Sequence, residues 1–425
     1  MSRNVATVLP AQQTALVLDG GGAQAVVVVR VLGALGWNVV CESGTRSSRS
    51  RWTTATVELP PPAADSARYI DRLRETCVEW DVNLVIPSSD LTLAYCWQAA
   101  GADATVVGAR VLAADRRSAE VFLDKATGIE ASRRHGFGVP ETIVAGTAAE
   151  IVDAAQSLGF PCVIKPRRTY QRIGGVMRQL RHVKVSSRDE ALATVTRLTG
   201  DDGLLPFAQE YVDGRALAVT AVVHDGAVVA CSARETFSFF PLGGGTSVWK
   251  RTILPDAPGV QEALALLRDC GLEGIAEVEY KFSSRGPRFM ELGPRIHAWI
   301  PLAEASLPGL LAAAIHTALG DEVEPLPVHR ANVEMRWIGG EILRVRSALL
   351  GRTSAAARAD VLRTLWPPWK PSMLYDGIDL SDPGPWAPRA LNYRRAVRRP
   401  AVTRTAENEA PRTNRQKGPN VPSAG

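Results

Sequence analysis

Residues 276–292 read AEVEYKFSSRGPRFMEL, two runs of alternating apolar and polar residues joined by the turn signal SSRG. Period-two alternation around a short Ser/Gly turn specifies an antiparallel hairpin. A turn centred on Arg285 sets Glu279 opposite Glu291, Lys281 opposite Phe289 and Glu277 opposite Gly293. Directly opposed residues share a face of the sheet, so this register places the Glu279 and Glu291 carboxylates side by side. Like charges in that position repel, and a divalent cation relieves the repulsion. Mg²⁺ takes one or two carboxylates and completes its octahedron with water and phosphate oxygens, which makes the pair a candidate holder of metal–nucleotide. The competing reading is an exposed hairpin whose acids pair with Lys281 and Arg288. The pair alone leaves both open.

Upstream lie two lysines. FPCVIKP (160–166) reads as a buried strand that ends on Lys165 against Pro166. RTYQRIGGVM (168–177) has a glycine pair and little apolar periodicity, which predicts a mobile loop before the next strand, HVKVSS (182–187). Lys165 is thus fixed by a rigid element and aimed at whatever that loop covers. Lys125 follows Asp124 within SAEVFLDKATGIEASRRHG (118–136), a stretch of helical period ending on Gly136. A lone lysine is by default a solvated surface residue. AAEIVDAAQSLG (148–159) is a second helix, and this unit reads as a small α+β lobe. PFAQEYVDG (206–214) and ALAVTAVVHDGAVVACSARE (216–235) supply further antiparallel strands, with VQEALALLRDCG (260–271) and LPGLLAAAIHTALG (307–320) as helices.

The first ~110 residues have a different texture. ALVLD (15–19), AVVVVRVLGALG (25–36), NVVCE (38–42), a helical pattern over 65–80, NLVIP (83–87) and ATVVG (104–108) alternate β-like runs with amphipathic stretches. That alternation implies an open parallel α/β sheet. Ligands of such sheets gather at the carboxyl ends of the strands, here Asp19 to Gly22, Glu42 and Pro87 to Asp90. Gly20-Gly21-Gly22-Ala23-Gln24-Ala25 fits G-x-G-x-x-A, with Glu42 placed as a ribose-binding acid. An NAD(P)-dependent oxidoreductase follows from that turn alone, but it leaves the lysines and the paired glutamates unexplained.

The chain of 425 residues, 46% hydrophobic and 22% charged, has the composition of a folded multidomain protein. Its net charge of +5 is misleading. Segment 394–425 carries eight basic residues against Glu407 and Glu409, a net +6, so residues 1–393 stand at −1. The folded body therefore has no basic signature of a nucleic-acid binder, and the tail reads as disordered. Six scattered cysteines without a C-x-x-C pair fit buried thiols in a reducing compartment. No apolar run reaches the roughly 18 residues of a membrane span, and no leader segment opens the chain. A cytoplasmic protein is expected, with no membrane partner. The expected division is an N-terminal Rossmann-like domain (1–112), a small lobe (113–205), a large lobe (206–330), an extension with little regular structure in its second half (331–393) and the basic tail (394–425).

The succession LDKATGIEASRRHGFGVPET, FPCVIKP, PFAQEYVDG and EVEYKF…RFMELGPR resembles the ATP-grasp superfamily, specifically its carboxylate–amine ligases, relatives of biotin carboxylase and carbamoyl-phosphate synthetase. The likeness covers about residues 1–325, the open sheet preceding a two-lobed nucleotide-binding unit. YDGIDLSDPGPWAP (375–388) is similar to a C-terminal segment of uncharacterised predicted ATP-grasp proteins. The resemblance implies ATP and Mg²⁺, or Mn²⁺ in its place, as cofactors. It implies that Lys125 and Lys165 contact the phosphates and that Gln209, Glu210, Tyr211 and Val212 meet the adenine. It also implies that Glu279 and Glu291 hold the metal, that Arg295 contacts the transferred phosphoryl group, and that Arg234, in SARETFSFFPLGGGTS, contacts substrate or phosphate. The implied reaction joins a small-molecule carboxylate to an amine through an acyl phosphate, releasing ADP and phosphate, with the 170–177 loop as a lid against water. A homo-oligomer is compatible with all of this.

Two positions depart from the family pattern. The hairpin of relatives ends Glu-x-Asn-x-Arg, whereas Gly293 stands in the amide position here. Arg215 follows Gly214 where relatives often carry an acid for the ribose, which leaves Glu210 or Asp213 for that role. The first departure bears on metal occupancy and turnover, so a nucleotide-binding protein without catalysis is a third reading. His297, two residues after Arg295, is expected to be structural.

Overall fold

The computed structural model describes residues 12–242, 245–351, 355–365, 370, 372–376 and 378–386. The basic tail, Gly243–Gly244 and Trp366–Trp369 lie outside the described residues.

At the N-terminus five parallel strands are ordered Ala55–Val57, Asn38–Glu42, Thr14–Leu18, Leu84–Pro87, Arg110–Val111. Thr14–Leu18 is buried throughout, as a strand covered on both faces must be. Strand order reverses beside it, so the crevice at its carboxyl end is the topological switch point. The valine-rich run after Gly22 is the helix Ala23–Ala34, buried through Val26, Val28, Val29 and Leu32. A parallel crossover needs a helix there, and that need overrides the β-propensity of valine. ATVVG is a reverse turn, not a strand. Val107 and Gly108 have φ of 52° and 84°, and the fifth strand starts at Arg110.

The single helical period over 118–136 resolves into two helices, Arg116–Phe122 and Lys125–Arg134. Asp124 causes the break: its carboxylate accepts from the Ala126 and Thr127 N–H groups as an N-cap. Lys125 thereby becomes the first residue of the second helix. The small-lobe sheet is antiparallel, ordered Val183–Val185, Cys162–Lys165, Phe207–Glu210, Thr142–Ile143. Phe207–Glu210 belongs to it, although the boundary expected at 205/206 assigned that strand to the next lobe. Helices Ala148–Leu158 and Arg188–Leu198 share a core with this sheet through Ile151, Ala155, Val195, Ile164 and Ala208.

The expected loop at 168–177 is instead a β-hairpin, Tyr170–Ile173 against Val176–Gln179. Gly174 and Gly175 take φ of 61° and 75°, the two left-handed positions of a tight hairpin turn, and Asp201 accepts from both N–H groups at 2.7 Å. The ribbon shows no apolar alternation because most of its residues are exposed or half-buried.

The large sheet has seven strands, ordered Gly286–Gly293, Gly274–Ser283, Arg215–His224, Ala227–Phe240, Thr246–Ile253, Glu334–Arg336, Leu374–Tyr375. Leu217, Val219, Ala221 and Val223 pack with helix Val260–Asp269 on one face. The extension contributes the last two strands and helices Ile338–Leu350 and Ala355–Leu365; in the described part of its second half the regular structure is the end of that last helix and strand Leu374–Tyr375. Asp382, also from the extension, is 1% exposed and bonds Arg30 Nε, Ser50 Oγ and the Arg51 N–H, which clasps this segment to the N-terminal domain. Among the described residues no single helix is long and apolar enough to cross a membrane. The bent pair Ile300–Ser306 and Leu310–Leu319 meets that test by length and composition only, and its residues are largely core.

Candidate nucleotide and metal site

The hairpin Gly274–Ser283/Gly286–Gly293 holds the expected pairs Glu279–Glu291 and Glu277–Gly293. Nearer the turn the register differs: Lys281 faces Arg288 and Tyr280 faces Phe289. The turn closes on Ser283 and Gly286, with Gly286 at φ 83°, which starts the ladder one residue off. A bulge between Tyr280 and Glu279 then absorbs Met290 and restores the register at the acids. The Met290 carbonyl accepts from Lys165 Nζ at 2.6 Å.

One row across the large sheet reads Arg234, Ala218, Glu279, Glu291. The small Ala218 leaves the Arg234 guanidinium room to reach Glu279 and Glu277, both at 3.2 Å. The Glu277 carboxylate also accepts from Trp299 Nε1. Lys125 Nζ donates to Thr169 Oγ1 at 2.8 Å and lies 3.1 Å from Glu291. Acids and bases thus interleave. Burial, then the neighbouring Glu277 charge, pushes the Glu279 carboxyl up to about 7, although 48% of its side chain opens to the cleft, where water softens the effect. Burial also opposes ionisation of Glu291, but Lys125 and Lys165 outweigh it and hold that carboxyl below its ordinary value. Desolvation lowers Lys165 to about 8.

Lys165, Gln209, Glu210, Tyr211, Val212, Arg234, Glu279 and Glu291 line one cleft of about 870 Å³ between the four-stranded and seven-stranded sheets. Gln209 is buried and donates to Thr142 Oγ1 at 2.9 Å. Glu210 is engaged by Arg285 at 2.7 Å and the Glu141 N–H at 3.0 Å. Asp213, which lines the cleft, is therefore the freer of the two acids considered for a ribose. The Lys184 ammonium lies 3.6 Å from the Tyr211 ring centroid, and Lys281 donates to the Val212 carbonyl at 2.7 Å.

Arg295 does not line this cleft. Its guanidinium pairs with Asp90 of the N-terminal domain at 2.6 Å and donates to the Ile296 carbonyl. The side chain binds across the domain boundary, where burial opposes its charge but Asp90 favours it. His297 is buried and bonded to Thr220, and burial beside Arg234 keeps it neutral, as a structural residue. Glu277 and Asp90 were not singled out by sequence reasoning. Glu277 had a signal, because a residue two before Glu279 on a strand shares its face; Asp90 had none beyond its place at a strand end.

Two opposed carboxylates suit a hard cation that takes its remaining ligands from water and phosphate. At Gly293 an added Cβ would meet nothing within 4 Å, so open space lies where an amide ligand would project. The donor set fits Mg²⁺ held by Glu279 and Glu291. The dinucleotide reading fits poorly. The Glu42 carboxylate is taken by the Asp19 N–H at 2.8 Å. A Cβ at Gly20 would lie 1.9 Å from Ser47 Oγ and one at Gly22 would lie 2.2 Å from Gln24 Oε1, whereas one at Gly21 would meet nothing within 4 Å.

No family model and no curated protein matches the sequence. Solved structures do. The biotin carboxylase domain of Hydrogenobacter thermophilus 2-oxoglutarate carboxylase, in complex with MgADP, ADP and bicarbonate, superimposes with a TM-score of 0.60 at 14% identity, over 76% of this chain and 73% of that one. L-amino acid ligase from Bacillus licheniformis gives 0.56 at 18% identity, over 73% and 74%. N5-carboxyaminoimidazole synthetase from Staphylococcus aureus gives 0.55 at 12%, over 76% and 81%.

The chain has the ATP-grasp fold. In this chain the cleft lies between the strand Cys162–Lys165 and the acidic hairpin, and both lysines reach the hairpin: Lys125 at Glu291 and Lys165 at the Met290 carbonyl.

Proposed function

We propose that this chain is an ATP-dependent carboxylate–amine ligase. The observation that carries the reading is Glu279 opposed to Glu291 in one cleft with Lys165, with Lys125 3.1 Å from Glu291. Phosphoryl transfer is catalysed mainly by positioning and charge neutralisation, and this cleft supplies both.

In this reading Gln209 to Val212 bound the adenine end, and Lys125 and Lys165 hold the phosphates. Glu279 and Glu291 hold Mg²⁺, which supplies charge neutralisation at the phosphates when bound. Arg234 steadies Glu277 and Glu279 so that their carboxylates keep one geometry. A substrate carboxylate oxygen attacks the γ-phosphorus, the bond to the ADP oxygen breaks, and an acyl phosphate forms. An amine nitrogen then attacks the acyl carbon, phosphate leaves, and the nitrogen loses a proton to give the amide. The Tyr170–Gln179 hairpin is suited to keep water from that intermediate. Arg295 is better read as a link between domains than as a phosphoryl contact. The carboxylate and amine are small molecules, and the six free cysteines fit a cytoplasmic setting.

Gly293 supports a second reading, a nucleotide binder without turnover, since the amide position has no side chain. One experiment separates them. Purified protein with ATP and Mg²⁺ is offered pooled proteinogenic amino acids, with ADP release followed enzymatically and condensation products by mass. Amino-acid-dependent ADP release with a product mass supports the ligase; nucleotide binding without release leaves the binder.

A further inference from the structure

The cleft extends beyond the acids to a part that the nucleotide reading does not use. Arg234, Phe237 and Phe239 of strand Ala227–Phe240 line it, as do Trp299 and, from the C-terminal extension, Ala357 and Asp360 of helix Ala355–Leu365. Ala357, Asp360, Val361 and Thr364 share one face of that helix by their spacing. Val361 and Thr364 are buried, whereas Arg358, Ala359 and Leu362 on the other face are exposed.

Buried charge holds the helix in this place. Arg336, at the end of strand Glu334–Arg336 of the large sheet, donates to Glu341 at 3.0 Å. Arg344 is 0% exposed and donates to Glu341 at 2.8 Å, to Thr364 Oγ1 at 2.8 Å and to Asp360 at 3.3 Å. Breaking any link of such a network leaves a buried charge without its counterpart, so the sheet fixes the helix against the cleft in one geometry.

The lining at this end offers apolar contact. Phe237 lies three residues along its strand from Arg234, about 10 Å, and Arg234 reaches the metal-site acid Glu279 at 3.2 Å. An acid whose carboxylate sits at the phosphoryl end therefore has room to extend its side chain along the strand toward the helix. The Phe237 ring is stacked on Trp249 with centroids 4.7 Å apart, and the Arg234 guanidinium lies 5.1 Å from the Trp299 ring centroid. Both charges at this end have counterparts: Arg234 has Glu277 and Glu279, and Asp360 has Arg344 and, at 2.9 Å, Arg363. The other polar side chains here are the short Ser238, Thr246 and Ser247.

We infer that helix Ala355–Leu365 bounds the acid-binding end of the cleft and, with Phe237 and Phe239, selects a carboxylic acid that bears a bulky apolar side chain. The inference rests on the ligase reading for the fate of that acid. Ala357 sets the space: its methyl group leaves room for a ring or a branched aliphatic group, which a large side chain at that position would fill. Selection is by apolar area and size rather than by charge.

The test is calorimetric titration of the full chain, with ADP and Mg²⁺ present, using glycine, alanine, leucine and phenylalanine and the deaminated counterpart of each. In at least one of the two series a bulky member binds about 10-fold or more tighter than the small ones. Ala357→Trp removes that preference, and Phe239→Ala weakens the bulky members several-fold. ADP affinity is unchanged in both. No bulky member bound below about 10 mM, no preference over the small members, or a preference unchanged in an Ala357→Trp protein that binds ADP overturns the inference. If Ala357→Trp does not fold, Phe239→Ala decides alone, and unchanged bulky-acid binding in it overturns the inference. With ATP in place of ADP and hydroxylamine as the amine, the hydroxylamine nitrogen attacks the acyl carbon as phosphate leaves, and the bulky acid is recovered as its hydroxamate. Bulky-acid binding with neither hydroxamate nor ADP release upholds the selecting wall and sinks the ligase reading instead.

Discussion

The Lys125 ammonium lies 3.1 Å from the Glu291 carboxylate, joining the first residue of a small-lobe helix to the acidic hairpin of the large lobe. A triphosphate and its metal would separate the two groups and satisfy each, the lysine with phosphate oxygen and the acid with the cation. Removing either partner then leaves the other charge without its counterpart. Lys125→Ala and Glu291→Ala are each expected to lower ADP release by about 100-fold or more, the scale of losing a charge-stabilising group. Circular dichroism spectra stay native. Normal turnover in either variant removes the site assignment.

The acids and the lysine also set how stability varies with pH. Glu279 titrates near 7 in the folded chain against 4.5 for a free carboxyl. Between those values the folded chain keeps a proton that the unfolded chain has lost, so stability falls as pH rises through that window. Glu277 shifts in the same direction. Lys165 titrates near 8 against 10.5, so from 8 upward the unfolded chain binds the extra proton and stability recovers. The melting temperature of metal-free protein is expected to reach a minimum between pH 7 and 8. Glu279→Gln should flatten the acid-side slope, Lys165→Met the alkaline one. A profile unchanged by both substitutions would refute the electrostatic account.

Much of this arrangement was legible in the sequence because sheet pairing converts residue spacing directly into geometry. The opposition of Glu279 and Glu291 needed only a hairpin and a turn centre. The Met290 bulge was not legible, since one inserted residue leaves no mark on apolar alternation, and the two-residue turn and the bulge cancel at the acids. The helix break at Leu123–Asp124 was hidden because apolar spacing runs through it; the capping aspartate was its only sign. Arg234 was found by resemblance, but its grip on Glu277 and Glu279 depends on three strands meeting, which spacing within one segment cannot report. Asp382 reaching Arg30 is more distant still: no local pattern encodes a contact between the two ends of the described chain.

That clasp has a measurable consequence. Asp382 is 1% exposed and satisfies Arg30, Ser50 and the Arg51 N–H. Asp382→Ala leaves a half-buried guanidinium and two further donors without their acceptor, an expected loss of about 3 kcal/mol in urea unfolding. The loss should come with faster proteolysis in 45–51, the loop that the clasp holds. Unfolding indistinguishable from wild type would show that the segment does not dock.

The Tyr170–Gln179 hairpin, in its proposed role of shielding the acyl phosphate, makes a prediction about partitioning rather than rate. Asp201 holds the Gly174 and Gly175 N–H groups at 2.7 Å, and those bonds keep its carboxyl ionised. Asp201→Ala frees the turn without touching the cleft. Water then competes better for the acyl phosphate, so the ratio of ADP released to condensed product is expected to rise several-fold while nucleotide affinity holds. A ratio of one to one, as in a tightly coupled wild type, would assign the hairpin no sealing role.

Gly293 offers the most direct check on the metal site. It lies opposite Glu277, its φ is outside the left-handed region, and an added Cβ would meet nothing within 4 Å. Neither backbone nor packing therefore demands glycine, and an amide side chain has open space beside the acids. An oxygen ligand at this position adds to a set otherwise made of two carboxylates. Gly293→Asn is expected to fold with stability close to wild type, within about 1 kcal/mol. Its affinity for Mg²⁺ or Mn²⁺, titrated calorimetrically with ADP bound, is expected to tighten several-fold. The effect should vanish in the Glu291→Ala background, because an amide cannot hold the cation once a carboxylate is gone. Tightening that survives loss of Glu291 would place the cation somewhere other than between the two acids.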